Sequence, residues 1–551
     1  MSFFTLNHKQ SGPFAPILVL WLSFVAAGLL QAQTSTNAEP LNLGPTLSIT
    51  NSAPASTNAL SLNPQPPAVA DTSTPKIAVP TPLPPQLPDV RQTTIIIPDW
   101  RVFAALMTLA SLGGFLLYQS GLIRAKNCGQ SATLLVVGVI FGLIGYWMGG
   151  FAVDTGGVGD AHAALPQPIP GRSALDHELG FTAMGHHWGI MGSSGFFLMT
   201  DDPANNASAL LFLSQAVLLA LAVATALGAS LERSRVLSMA VFSFIIGCVI
   251  YPLFANWVWG GGWLAELGRE YSLGHGFVDL AGAGVVHETA GTLALVLAII
   301  LGPRTGRFGR DKKGIPGHNM PFVLLGAVLL LISWTATNAF AAEDPLTISS
   351  PIAGIAAINT LLAAAAGLLI SYLLAAWQRR HPEPALLCRG LLGGAVASCG
   401  CSAFIDPWAA FLIGALAGLF VQGAFSFFEK RRIDDPSGAA ATHGIGGAWG
   451  VLATGLFANG TAGSGLNGVD GSIRGLFLGG DWHQLAAQAI GAATGFVVVF
   501  ILGYAFLVLI QKILGLRVPL ADEAAGLDWP QTGALGYQGE AEPENDSPVK
   551  S

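Results

Sequence analysis

Charge is what this sequence has least of. Only 10% of its 551 residues are Asp, Glu, Lys or Arg, against 52% hydrophobic. Such a chain cannot hide its apolar surface in one water-soluble core and needs a bilayer. The formal net charge of -7 gives no argument for a nucleic-acid partner. Cysteine is scarce too. The five, at 128, 248, 388, 399 and 401, lie within or beside apolar runs, so no disulfide framework is implied and they read as small core residues. The sequence also lacks an activated nucleophile, a metal-ligand cluster and a phosphate-binding loop, which argues against an enzyme and against any cofactor or metal. What it has in quantity is glycine, 69 residues. Membrane helices attract one another by close packing of small residues, so this abundance fits the same class.

Against that apolar background two stretches stand out. Asp279-Leu-Ala-Gly-Ala-Gly-Val-Val-His287 places a carboxylate and an imidazole eight residues apart, and Asp435-Pro-Ser-Gly-Ala-Ala-Ala-Thr-His443 repeats the spacing. Ionisable groups at membrane depth are costly and are kept mainly where they meet a partner or line a pathway.

The chain opens with Lys9 and an apolar run from Pro16 to Leu30, followed by Gln31-Ala32. Residues 1–32 read as a signal peptide, the run being short of the roughly 20 residues a span needs. From Gln33 to about Thr94 the composition is Ser, Thr, Pro, Asn and Ala, which predicts a disordered extracytoplasmic tether over 33–94. A membrane domain follows over 95–512, and 513–551 form a cytoplasmic tail.

Within the domain, hydropathy predicts eleven spanning helices near 99–121, 131–153, 207–230, 236–256, 278–302, 319–340, 352–376, 385–404, 407–428, 439–458 and 484–511. Basic residues cluster after every other one, at Arg124 and Lys126, Arg233 and Arg235, Arg304 to Lys313, Arg379 and Arg380, Lys430 to Arg432, and Lys512 with Arg517. The intervening loops carry only Arg172, Arg269 and Arg474. By the positive-inside rule the mature N-terminus is outside a cell (inner) membrane and the C-terminus is cytoplasmic. The fold class expected is all-α and polytopic.

This topology relates the two Asp/His stretches. The fifth helix enters from outside with His287 about 12 Å deeper than Asp279, and the tenth enters from the cytoplasm with His443 a similar distance up. Helices 1–5 and 6–10 then form an inverted repeat whose sites meet near the midplane, the eleventh helix standing unpaired. Two histidines brought together there can join through one ring nitrogen each and pass a proton, or can merely tie two helices together. Asp279 and Asp435, placed in the first turns of their helices, read as caps first and as electrostatic aids to a cation second. Between helices 4 and 5 lies Trp257-Val-Trp259-Gly-Gly-Gly262-Trp263. Interfacial Trp usually anchors a belt, yet an indole face also attracts a cation. An ammonium ion could escape the cost of losing its water by losing a proton.

The chain resembles the ammonium transporter (Amt/Mep/Rh) family, and its Amt branch in particular, over about residues 95 to 537. The residues that carry the resemblance are Gly121-Leu-Ile-Arg-Ala-Lys-Asn127, Glu232-Arg233, Val258-Trp259-Gly-Gly-Gly262, Asp279 to His287, and Leu301-Gly-Pro-Arg304. Beyond these come His318-Asn319-Met-Pro321, Trp334 with Asn338, Asp434-Asp-Pro436 leading to His443-Gly444, Gly515-Leu-Arg-Val518 and Gly526-Leu-Asp528. The resemblance implies a homotrimer with a narrow apolar pore in each subunit. Ammonium would be recruited at Trp259, Asp279 and Asn338, deprotonated, and conducted past the twin histidines His287 and His443. It also implies a PII-type signalling protein as a cytoplasmic partner.

The chain departs from the family's pattern where two stacked Phe rings usually gate the pore. Those positions read Leu218, in Gln215-Ala-Val-Leu218, and Thr337, in Trp334-Thr-Ala-Thr337-Asn338, leaving Phe340 as the one ring that could substitute. Ala341 stands where the family has a serine. Glu288, beside His287, is expected to face a neighbouring helix, with an added proton acceptor as the sharper alternative. The outer loop near 154–206, with Asp176, His177, His186 and His187, reads as solvated surface rather than a metal site. The acidic run Glu540 to Asp546 reads as solvated and disordered. The function expected is an ammonium/ammonia channel. The alternatives are an Amt-like sensor acting through a partner, or a pore for another small neutral solute or amine.

Overall fold

The computed structural model describes residues 100–157, 175, 177–200, 206–309, 314–342, 351–378 and 380–537. The signal peptide expected at 1–32, the tether at 33–94, Asp176 and the acidic run at 540–546 lie outside them.

Among the described residues nine helices are long and apolar enough to cross a membrane: Val102–Leu122, Ala125–Thr155, Ser208–Ser230, Val236–Tyr271, Ala283–Leu301, Met320–Ala341, Ile352–Trp377, Pro407–Lys430 and Trp482–Ile513. Two shorter apolar stretches pack among them. Pro384–Ser398 begins on a proline, whose missing N–H costs nothing in a first turn. Ala440–Ile445 is a wide π-type turn continued by the α-helix Gly446–Phe457.

Helical structure starts at Ala283 in the first Asp/His stretch, later than the 278 that hydropathy suggests, and at Ala440 in the second, close to the expected 439. Asp279 and Asp435 do not sit in first turns. Each precedes its helix, and a left-handed glycine intervenes, Gly282 at φ +97° and Gly438 at φ +72°. A side chain at such φ would be strained, so glycine lets the chain swing sharply before the helix begins. Ala283–Glu288 and Ala440–Ile445 are both π-type turns, a form found mostly as single turns inside α-helices and often at functional sites.

These two helices cross almost backbone to backbone. A Cβ on Gly291 would lie 2.0 Å from the Gly444 nitrogen, and one on Gly447 would lie 2.2 Å from the Ala283 carbonyl oxygen. Glycine on both sides of a crossing permits the close approach that packs helices where no hydrophobic force draws them together. The consequence is that His287 and His443, one near each crossing point, are held side by side.

The loop after Thr155 carries a β-hairpin. Strand β1, Glu178–Ala183, pairs antiparallel with β2, His186–Gly192. The two-residue turn has Met184 at φ 56° and Gly185 at φ 81°, the doubly positive geometry that suits the twist of a hairpin. His186 Nδ1 lies 3.0 Å from Glu270 and its ring stacks on Tyr271, while His187 Nε2 lies 3.1 Å from Glu178.

The face bearing the basic loops is knitted by buried ion pairs. The guanidinium of Arg304 donates to both oxygens of Asp434 at 2.8 and 2.9 Å and also to Glu232. Glu232 accepts in addition from Arg124 and from the amide of Asn127. Burial alone would raise the carboxyls of Asp434 and Glu232. The bonds and charge of Arg304 outweigh it, holding Asp434 down to about 2 and Glu232 below its usual range. The tail closes over this face. Leu527 N–H donates to Asn127, Asp528 accepts from the N–H groups of Gln130 and Gly536, and Arg517 pairs with Glu523.

Candidate functional site

At the crossing of the two glycine-lined helices, His287 Nδ1 and His443 Nδ1 lie 3.0 Å apart, with ring centroids 5.1 Å apart and planes at 43°. Both residues are buried. One nitrogen must donate and the other accept, so the neutral pair holds a single proton between its rings. His287 Nε2 is 3.6 Å from the thiol sulfur of Cys399, which itself lies 3.4 Å from the Ala395 carbonyl oxygen.

The rings around the pair come from other helices. Trp334 stands edge-on to both, 5.0 Å from His287 and 5.4 Å from His443, and Phe115 is 6.4 Å from His443. On the side of Phe115, Tyr118 and Thr442 a cavity of about 10 Å³ borders His443, close to the least that holds one water-sized molecule. The walls are apolar apart from a few placed groups, such as the Tyr118 hydroxyl donating to the Ser437 carbonyl at 3.4 Å.

Asp279 accepts four backbone hydrogen bonds. Its Oδ1 takes the N–H groups of Gly282 and Ala283 at 3.1 and 2.8 Å, and its Oδ2 those of Gly284 and Val285, both at 2.9 Å. These are the orphan donors at the start of the helix that carries His287. Asp435 does the same for the other helix with fewer bonds, accepting from Gly438 N–H at 3.0 Å, Ala440 N–H at 2.7 Å and the Ser437 hydroxyl at 3.0 Å. Each carboxylate therefore orients the turn that presents a histidine.

Trp259 is tied to the first of these turns. Its indole N–H donates to the Asp279 carbonyl oxygen at 2.8 Å, and its ring lies beside Gly282. Asn338 is buried, with its amide nitrogen donating to Thr360 at 2.8 Å and to Ser398 at 3.2 Å. Its carbonyl oxygen is left without a partner.

At the two gate positions, Leu218 packs half-buried against the core. Thr337 is buried, its hydroxyl 2.8 Å from that of Thr108 and 3.0 Å from the Ser333 carbonyl. Phe340 is half-buried. Glu288 is buried beside the crossing, and its Oε2 has no hydrogen-bond partner. Phe115 had no part in the sequence reading, and Cys399 entered it only as a small core residue. Neither carries a linear signal, because each reaches the histidines only through the packing of a different helix.

Residues 100–537 match the model of the Ammonium Transporter Family. The chain is 30% identical over 443 residues to ammonium transporter Amt2 of Archaeoglobus fulgidus, covering 80% of this chain and 87% of that protein. It is 31% identical over 447 residues to an ammonium transporter of Bacillus subtilis, covering 79% and 97%. Among solved structures it is similar to a protein titled Sensor Amt Protein, with a TM-score of 0.65 and 29% identity over 79% of this chain and 97% of that one. Saccharomyces cerevisiae Mep2 gives a TM-score of 0.60 with 26% identity, covering 76% and 89%.

Proposed function

Since this chain belongs to the ammonium transporter family, we propose that it takes up ammonium, removes a proton and passes ammonia between His287 and His443. It is a multi-pass helical membrane protein whose relatives are transporters and not enzymes. The observation that carries the mechanism is the 3.0 Å contact of two buried imidazoles. A neutral His pair shares one proton, so it can accept another on one side and release one on the other without carrying a cation through the apolar core. Trp259 and Asn338 form the recruitment site in this reading, and Asp279 supports it from beneath. Asp435 sets the second histidine.

The matched construction of the two stretches supports eleven spans arranged as an inverted repeat of helices 1–5 and 6–10 with an eleventh outside it. Each stretch has an Asp accepting N–H groups, a left-handed glycine three residues on, and a π-type turn bearing the histidine. The same reading has the Trp259 end outside, the basic face in the cytoplasm, a homotrimer as the unit and a PII-type protein as a partner at that face.

A sensor is the second reading, favoured by the likeness to the protein titled as one. Uptake of ammonium by proteoliposomes of the purified chain separates the two. Flux above empty vesicles supports conduction, whereas tight ammonium binding with no flux assigns the protein to sensing.

A further inference from the structure

A second polar feature lies beside the start of the His443 helix. On the basic face a cavity of about 980 Å³ opens among the helix starts and loops. Its wall carries Arg304, Arg307, Arg380, Arg389 and Lys430, opposed by the carboxylates of Glu383, Glu429 and Asp435.

Arg389 is the unusual member. It sits one and a half turns into the helix Pro384–Ser398 and is only 9% exposed. Its guanidinium carbon lies 3.8 Å from the centroid of the Phe425 ring. Its Nε has no hydrogen-bond partner, and no described carboxylate pairs with it.

The nearby acids are engaged elsewhere. Asp435 accepts from Ser437, Gly438 and Ala440. Glu429 is held by Arg307, and Asp434 by Arg304. Glu383, the exposed residue just before this helix, lines the same cavity without an ion pair to Arg389. A buried cation that no anion bonds directly is costly, and neither ring stacking nor the carboxylates of Glu383, Glu429 and Asp435 in the same cavity supply a bonded partner.

We propose that this cavity binds a small phosphate-bearing anion, whose oxygens complete the hydrogen bonding of Arg389 while Arg380 and Lys430 flank it. A guanidinium offers a planar fork matched to phosphate oxygens. The exposed Arg380 and Lys430 supply point charges at the rim, and the volume accommodates a ligand up to nucleotide size. The site adjoins the second Asp/His stretch. The Arg389 side chain packs over Gly438, its Cδ 2.8 Å from where a Cβ would stand, three residues after Asp435 and five before His443. A bound anion there would sit against the turn that sets His443.

The test is isothermal titration of the full-length protein in detergent with inorganic phosphate, ADP and adenosine. Phosphate and ADP should bind, adenosine should not, and affinity should fall as salt rises. Arg389→Met, which keeps the apolar stem, should weaken ADP at least tenfold, with Arg389→Lys in between. Arg380→Ala combined with Lys430→Ala should weaken it several-fold without touching the buried position. Thermal melting of each variant guards against misfolding. Failure of the parent to bind phosphate or ADP, equal binding by Arg389→Met and parent, or binding of adenosine as tight as that of ADP would each overturn the proposal. The readout needs no transport, so it stands apart from the fate of the conduction reading.

Discussion

The Oδ atoms of Asp279 close four hydrogen bonds onto the turn that ends at His287, and this carboxylate is the support on which one of the two facing imidazoles rests. Asp435 stands in the same relation to His443 with two backbone N–H groups and a hydroxyl. The unequal counts make a ranking. Each buried N–H left without an acceptor costs about 1 to 3 kcal/mol. Asp279→Ala should therefore lower the melting temperature in detergent more than Asp435→Ala, and Asp279→Asn, which keeps one acceptor oxygen, should fall between parent and Ala. Equal losses at the two positions would deny the capping role.

Backbone contact at the crossing gives a second expectation. A methyl on Gly291 would meet the Gly444 nitrogen at 2.0 Å, against rigid backbone rather than a movable side chain. Gly291→Ala should force the helices apart, destabilise the protein by about 1 to 3 kcal/mol and separate the imidazoles. Gly423→Ala, which would meet nothing within 4 Å, should be neutral. Melting curves of the two variants side by side check this.

The ion pairs of the basic face make stability depend on acid. Asp434 is held at about 2 in the folded protein because Arg304 outweighs the effect of burial. A carboxyl whose folded value is depressed stabilises above its unfolded value and loses that contribution as pH falls through the folded one. The contribution, on the order of 2 kcal/mol, should vanish between about pH 4 and pH 2. Glu232 is lowered in the same direction. Arg304→Ala removes the partner that two buried carboxylates share, leaving Glu232 to Arg124 and Asp434 to Arg233 and Arg307, and should cost about 3 kcal/mol near neutral pH, the low end for a broken buried pair. A melting temperature flat from pH 5 to pH 2, or an undiminished one in Arg304→Ala, would contradict this.

Glu288 follows His287 on the helix and so points to a different side, with no described contact to either imidazole. Glu288→Gln should leave the pH profile of ammonium flux unchanged. A shifted profile would instead make Glu288 a proton acceptor beside the pair.

Much of this was legible because polarity is conspicuous in an apolar chain. Asp279, His287, Asp435 and His443 announced themselves, and their spacing and the alternation of basic loops suggested two opposed halves. The local geometry was not legible. That the aspartates precede their helices follows from Gly282 and Gly438 at positive φ, a conformation glycine can adopt but does not advertise. The hairpin 178–192 hid behind a Met184-Gly185 turn, which lacks the Asn-Gly or Asp-Gly signature of its class. Arg304, Asp434 and Glu232 stood in recognisable motifs, yet their mutual pairing spans 130 and 72 residues and needed the fold. Cys399, Phe115 and Arg389 gained meaning only from what other helices brought beside them.

The central claim is that a proton leaves ammonium at the His287–His443 pair. It is tested most directly by recording ammonium uptake and the accompanying internal pH change in proteoliposomes of the parent and of His287→Ala combined with His443→Ala. The account predicts uptake in the parent, and in the variant either a loss of at least tenfold or flux whose proton movement no longer matches the parent's. Uptake and pH change identical in the two would contradict it.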